Sequence, residues 1–94
     1  MLYSFPVDSV KAGKCWEVGY AYIGNNILSM PVYKPSESAC QQACAEHDGC
    51  SYWTWRRKEK GWAMAPCYLK TSKAGREARS VYISGSKDCK KEKG

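Results

Sequence analysis

Six cysteines, Cys15, Cys40, Cys44, Cys50, Cys67 and Cys89, stand in a chain of 94 residues with 24, 3, 5, 16 and 21 residues between successive ones. Their number is even, and no pair has the C-x-x-C spacing of a zinc knuckle or a thioredoxin-like redox site. The single histidine, His47, completes no four-ligand Cys/His site once the thiols are oxidised. The cysteines therefore read as three structural bridges, with the pairing open among the alternatives that six cysteines allow. Glutathione and thioredoxin would hold such bridges open in the cytosol, so the expected location is secreted or extracellular, reached through the secretory pathway.

Residues 1–14, MLYSFPVDSVKAGK, contain no apolar run of signal-peptide length, and no segment approaches a membrane span. The expectation is a module of a longer secreted protein, without direct membrane insertion. A chain of this size builds one domain with a modest core, so the bridges matter to its stability.

Charge is distributed unevenly. Residues 1–50 hold three basic and five acidic groups, whereas 51–94 hold twelve basic and four acidic, so the halves carry −2 and +8. Most of the excess lies in Arg56, Arg57, Lys58, Lys60, Lys70, Lys73, Arg76 and Arg79, with Lys90, Lys91 and Lys93 beyond the last cysteine. In an extracellular protein this favours acidic partners, such as sulfated glycans or acidic proteins, over nucleic acid. A solvated basic face that keeps the domain soluble is the competing reading.

The clearest local element is a helix within Pro35 to Gly49. Ser36 suits the N-cap with Glu37 in the first turn, Ser38 with Gln41 offers a competing capping box, and Gly49 suits the left-handed C′ position. Cys40, Ala43, Cys44 and His47 recur on one face, and being mostly small they let the helix approach a sheet. Strands are expected at Ser51 to Trp55, Cys67 to Leu69, Ser80 to Ser84, and Ile27 to Tyr33 after the turn Gly24-Asn25-Asn26. Pro31 makes the last of these an edge or a bulge, and Arg56 to Gly61 is a charged connection. Strands on both sides of one helix imply an antiparallel α+β domain.

The chain has no Gly-rich phosphate loop, no nucleophile beside a base, and scattered carboxylates. His47 has only Asp48 as a charged neighbour and reads as a partly exposed helix-end residue. The expectation is a protein without enzymatic activity, cofactor or metal.

In order along the chain, Cys15 with Gly19-Tyr20 and Gly24, Cys40-Gln41-Gln42-Ala43-Cys44, Gly49-Cys50-Ser51-Tyr52-Trp53-Thr54-Trp55, Cys67-Tyr68-Leu69-Lys70 and Ser84-Gly85-Ser86-Lys87-Asp88-Cys89 resemble the PAN/apple domain family. They are similar to its C-x3-C helix, its C-x-x-F-T-Y and C-Y-L-K strands, and its S-G-x-x-x-C ending. The six-cysteine form looks most like the apple domains of apicomplexan microneme adhesins. Trp53 and Trp55 replace the usual Phe and Tyr, and the Arg56 to Ala65 loop with Trp62 is insertion-like. The resemblance implies a small disulfide-rich α+β module of about five antiparallel strands with one helix packed across them. It spans residues 15–89, flanked by an N-terminal extension at 1–14 and a basic linker at 90–94. It also implies the pairs Cys15–Cys89, Cys40–Cys67 and Cys44–Cys50, and a role in host-cell attachment as one bead of a tandem array.

Two binding modes follow. Several microneme apple domains are similar lectins for galactose-type sugars, which need an aromatic plate with convergent polar groups. Trp62, Trp55, Tyr68 and Tyr82 are the candidate plates and Lys70 or Arg79 the donors, although each aromatic but Trp62, which lies in a charged loop, reads first as core in a small domain. Alternatively the basic loop Arg56-Arg57-Lys58-Glu59-Lys60-Gly61-Trp62 pairs with a sulfated glycan or a protein, the indole adding an anchor. Other microneme proteins are further candidate partners, and a pure spacer between neighbouring beads is a third reading. No Asn-x-Ser/Thr acceptor is present to carry an N-glycan.

Overall fold

Aromatic and β-branched residues placed at alternate positions set the architecture. A computed structural model describes residues 16–88. In chain order the elements are β1 (Trp16–Tyr22), β2 (Val32–Lys34), α1 (Glu37–Glu46), β3 (Tyr52–Arg56), β4 (Ala65–Lys70) and β5 (Arg76–Ser86). The strands form one antiparallel sheet in the order β1-β5-β3-β4-β2, and α1 packs on one face.

Alternation sorts the two faces. In β3, Trp53 and Trp55 point to the helix while Tyr52, Thr54 and Arg56 point away; in β4, Ala65, Cys67 and Leu69 face the helix and Pro66, Tyr68 and Lys70 do not. The core joins these residues to Ile83 and to Cys40, Cys44 and Cys50. The two core indoles find acceptors, Trp53 Nε1 donating to Ser86 O and Trp55 Nε1 to Lys34 O, each at 3.1 Å, whereas the buried Trp16 Nε1 finds none among the described residues. A buried indole N–H without such a partner would be destabilising.

The helix is capped by Ser36, whose Oγ accepts from Ala39 N at 3.1 Å, so the competing Ser38 cap is not used. It ends at Glu46 with His47 as C-cap, two residues before Gly49 (φ +85°). Gly49 therefore makes the turn beyond the helix and is not its C′ residue, because Cys50 N must reach back to His47 O at 3.1 Å. Cys44–Cys50 ties this end to the start of β3, with 5.2 Å between Cα atoms, and Cys40–Cys67 fastens α1 to β4 at 5.5 Å. The expected Cys15–Cys89 pair lies outside the described residues.

Two strand expectations change and one strand is added. β2 begins at Val32, not Ile27, since Pro31 has no N–H to give a ladder; residues 27–31 cross the sheet end irregularly after Ile27 N donates to Leu69 O. β2 is an edge strand, one of the two alternatives that Pro31 left open. β5 runs from Arg76, well ahead of Ser80, because it pairs over its first half with β1, a strand that the turn signals did not mark.

That pairing slips. Val18 stands opposite Ile83 but Tyr20 opposite Ala78, so residues 79–82 of β5 face the single β1 residue Gly19 (φ +89°). The bulge turns the end of β1 across the face that lacks the helix, where Tyr22 N donates to Thr54 Oγ1 at 2.9 Å and Ser84 Oγ to Tyr20 O at 2.8 Å. No helix among the described residues is long and apolar enough to cross a membrane.

Candidate functional site

The helix covers one face of the sheet and leaves the other to side chains. There the folded-over end of β1 encloses a hollow of about 170 Å³ against β3, β4 and β5, lined by Thr54, Tyr68, Lys70, Arg79 and Tyr82 with the Tyr22–Gly24 backbone above. Tyr68 and Tyr82 are half-buried, which is what a ring needs to present one side to a ligand. The β5 bulge is what brings Arg79 to the rim, a position that strand periodicity alone would not give.

Lys70 is the unusual member. It is only 4% exposed, and its Nζ donates to Gly24 O at 2.9 Å and lies 5.5 Å from the centre of the Tyr68 ring. Burial holds its ammonium below the usual lysine range. The three ion pairs among the described residues, Arg56–Glu59, Arg76–Glu17 and Arg79–Glu77, do not include it. Burial, then the neighbouring Tyr82 and Tyr33 phenols, push the Tyr68 phenol up against the opposing pull of Arg56.

A second, shallower groove of about 410 Å³ adjoins at the β2 edge, lined by Tyr33, Trp62, Met64 and Pro66. Tyr33 is 57% exposed, Met64 51% and Trp62 39%. Arg56 shapes this corner: its guanidinium lies 4.8 Å from the Trp62 ring centre while Nη2 pairs with Glu59 at 2.8 Å. Trp62 N donates to Glu59 O, closing the loop at Gly61 (φ +91°), where a side chain would be strained. Arg57 and Lys58 line a third hollow of about 240 Å³ with Ser80 and Val81.

The seven candidate binding residues thus separate into three places. Lys70 and Arg79 meet at the tyrosine hollow, Trp62 lines the groove, and Arg56, Arg57 and Lys58 line the third hollow, Arg56 also stacking on Trp62, with exposed Lys60 in the same loop. Trp55 is buried under the helix, as the core reading expects, and is no binding plate, because it sits one residue out of phase with the open face. One correction applies: Lys70 is not part of the solvated basic surface with which its charge grouped it. The lining residues Tyr33, Met64, Pro66 and Thr54 carried no signal of their own; Tyr33 reaches the groove only through its register with Pro66.

His47 sits at the helix end, its Nδ1 2.9 Å from Asp48 O. No group of acidic, cysteine or histidine side chains among the described residues has the geometry to hold a metal ion.

A family model described as the PAN domain matches residues 20–70 of this chain. No curated protein matches it.

Proposed function

This chain belongs to the PAN domain family, whose members are typically non-catalytic modules that bind proteins or carbohydrates in extracellular, disulfide-rich settings, and from that premise we propose that it is a carbohydrate-binding adhesion module using the sheet face opposite the helix. The observation that carries this reading is the convergence of two tyrosine rings, Lys70 and Arg79 on one open hollow. Tyrosine rings offer flat apolar area for the C–H face of a pyranose, and the cations and hydroxyls supply hydrogen bonds to its oxygens. The similarity of the Cys67–Lys70 and Ser84–Cys89 segments to microneme apple domains supports a secreted adhesin that attaches to host cells, with a galactose-type sugar as ligand.

A glycan array probed with the fully oxidised domain tests this. The expected result is sugar binding that Tyr68→Ala and Tyr82→Ala each weaken about tenfold or more, the size expected when an aromatic contact is lost. Binding that survives both substitutions but vanishes with Trp62→Ala would move the site to the groove, and an empty array would overturn a carbohydrate ligand.

A second reading has its own observation. Arg57, Lys58 and Lys60 are exposed and make no ion pair among the described residues, whereas Arg56 is held by Glu59. Such a loop suits a sulfated glycan. Its binding would collapse as the screening length falls from about 10 Å at 0.1 M salt to about 3 Å at 1 M, while stacking on tyrosine would persist.

A further inference from the structure

The chemistry around Lys70 narrows the ligand. An ammonium group has three donors, and only one hydrogen bond, to Gly24 O, satisfies them among the described residues. A lysine serving only to pin the Gly24 turn has no need to sit 96% buried at the wall of a hollow that opens to solvent, since removing its charge from water is costly without an anion nearby. No carboxylate among the described residues pairs with Lys70, and the two on β1 and β5 are engaged elsewhere: Glu77 with Arg79 Nε and Nη2 at 3.1 and 2.8 Å, and Glu17 with Arg76 and the Tyr22 hydroxyl. The hollow thus holds a cation that pairs with no carboxylate among the described residues, at a place shaped for a ligand.

Resting on the carbohydrate reading above, we propose that the Tyr68–Tyr82 hollow is an anion site that takes a sugar bearing a carboxylate or a sulfate, the oxyanion lying against the Lys70 ammonium. Its volume of about 170 Å³ equals that of about six waters, the scale of one sugar ring and not of a glycan chain. Tyr68 and Tyr82 flank the ring, and Lys70 neutralises the acid group in a setting where little water screens the pair. The Lys70 pKa, held low by burial, is expected to rise when the anion enters.

Calorimetric titration of the oxidised domain with matched hexose, hexuronic acid and hexose 6-sulfate, in the gluco and galacto series, decides the matter. The expected result is that the uronic acid or the 6-sulfate binds at least about tenfold more tightly than its neutral hexose, the advantage of a charge-assisted over a neutral contact. Lys70→Met brings that ratio to about one, and Lys70→Arg retains most of it. Comparison on the unmodified protein alone is sufficient should Lys70→Met fail to fold. The carboxylate and sulfate arms identify which anion the hollow prefers. Equal affinity for acidic and neutral sugars would overturn the anion site while leaving the carbohydrate reading standing. Binding of no sugar, with capture of an acidic peptide in its place, would overturn both.

Discussion

Single side chains at the open face carry structural work that alternation does not announce. Thr54 is 3% exposed, and its hydroxyl both accepts from Tyr22 N at 2.9 Å and shares a hydrogen bond with Ser84 Oγ at 2.8 Å. Thr54→Val keeps the shape and strands a buried N–H, so it should lower unfolding free energy by about 1–3 kcal/mol in urea titration. Glu17 sets a pH response. Burial raises its carboxyl pKa, but hydrogen bonds from Arg76 and Tyr22 and the charges of Arg76 and Lys73 outweigh that and leave it below its ordinary 4.5. A pKa lower folded than unfolded means that the unfolded chain binds the proton first. The Glu17 contribution to stability is therefore complete above pH 4.5 and is lost as pH falls through the lower folded value. Thermal unfolding of Glu17→Gln should show a shallower decline across that acidic window than the unmodified protein; an unchanged slope would remove Glu17 as its source. The same environment, burial first and then Glu17, drives the Tyr22 phenol far above the usual tyrosine range, so it stays a donor at any physiological pH.

At the scale of elements, ten residues are too few for α1 to persist alone, and the cap at Ser36 adds only about 1 kcal/mol. Its position rests on the two bridges and on Trp53, Trp55 and Leu69 beneath it. The cysteine pairs are not equivalent. Opening the 27-residue separation of Cys40–Cys67 should destabilise the fold by about 3.6 kcal/mol on the chain-entropy estimate, against about 2.4 kcal/mol for the 6-residue separation of Cys44–Cys50. Paired Cys→Ala variants compared in guanidinium titrations check the order; a larger loss from the shorter loop would refute a loop-length account. Between β1 and β5 the approach is close enough that a methyl group on Gly75 would run into the Ile23 carbonyl oxygen. Gly75→Ala should push Ile23 and Gly24 outward and loosen the hollow that they border, weakening sugar binding together with stability.

Across the whole molecule the two faces divide stability from recognition. Trp53→Ala empties the core under the helix and should cost about 3–5 kcal/mol, visible as a drop in Tm with or without ligand. Tyr82→Ala on the other face should leave Tm nearly unchanged in the free protein and reduce the rise in Tm on adding sugar, because only the native state binds. Much of this division is legible in the chain. The cysteine spacing, the C-x3-C helix and the strand Tyr52-Trp53-Thr54-Trp55 each encode a local period, and a period of two assigns neighbouring side chains to opposite faces wherever the strand goes. So the α+β class, the helix, and the place of Trp62 in a charged loop follow from sequence, while the choice of Ser36 over Ser38 as cap and of an edge over a bulge at Pro31 fell to the fold. The slip at Gly19, the length of β5, the burial of Lys70 and the meeting of Arg79 with Tyr68 do not. These depend on which strands pair and in what register, and register is a balance of many contacts between residues far apart in the chain. A sequence motif holds its residues at fixed spacing, whereas the hollow draws its walls from four strands that only the folded sheet brings side by side.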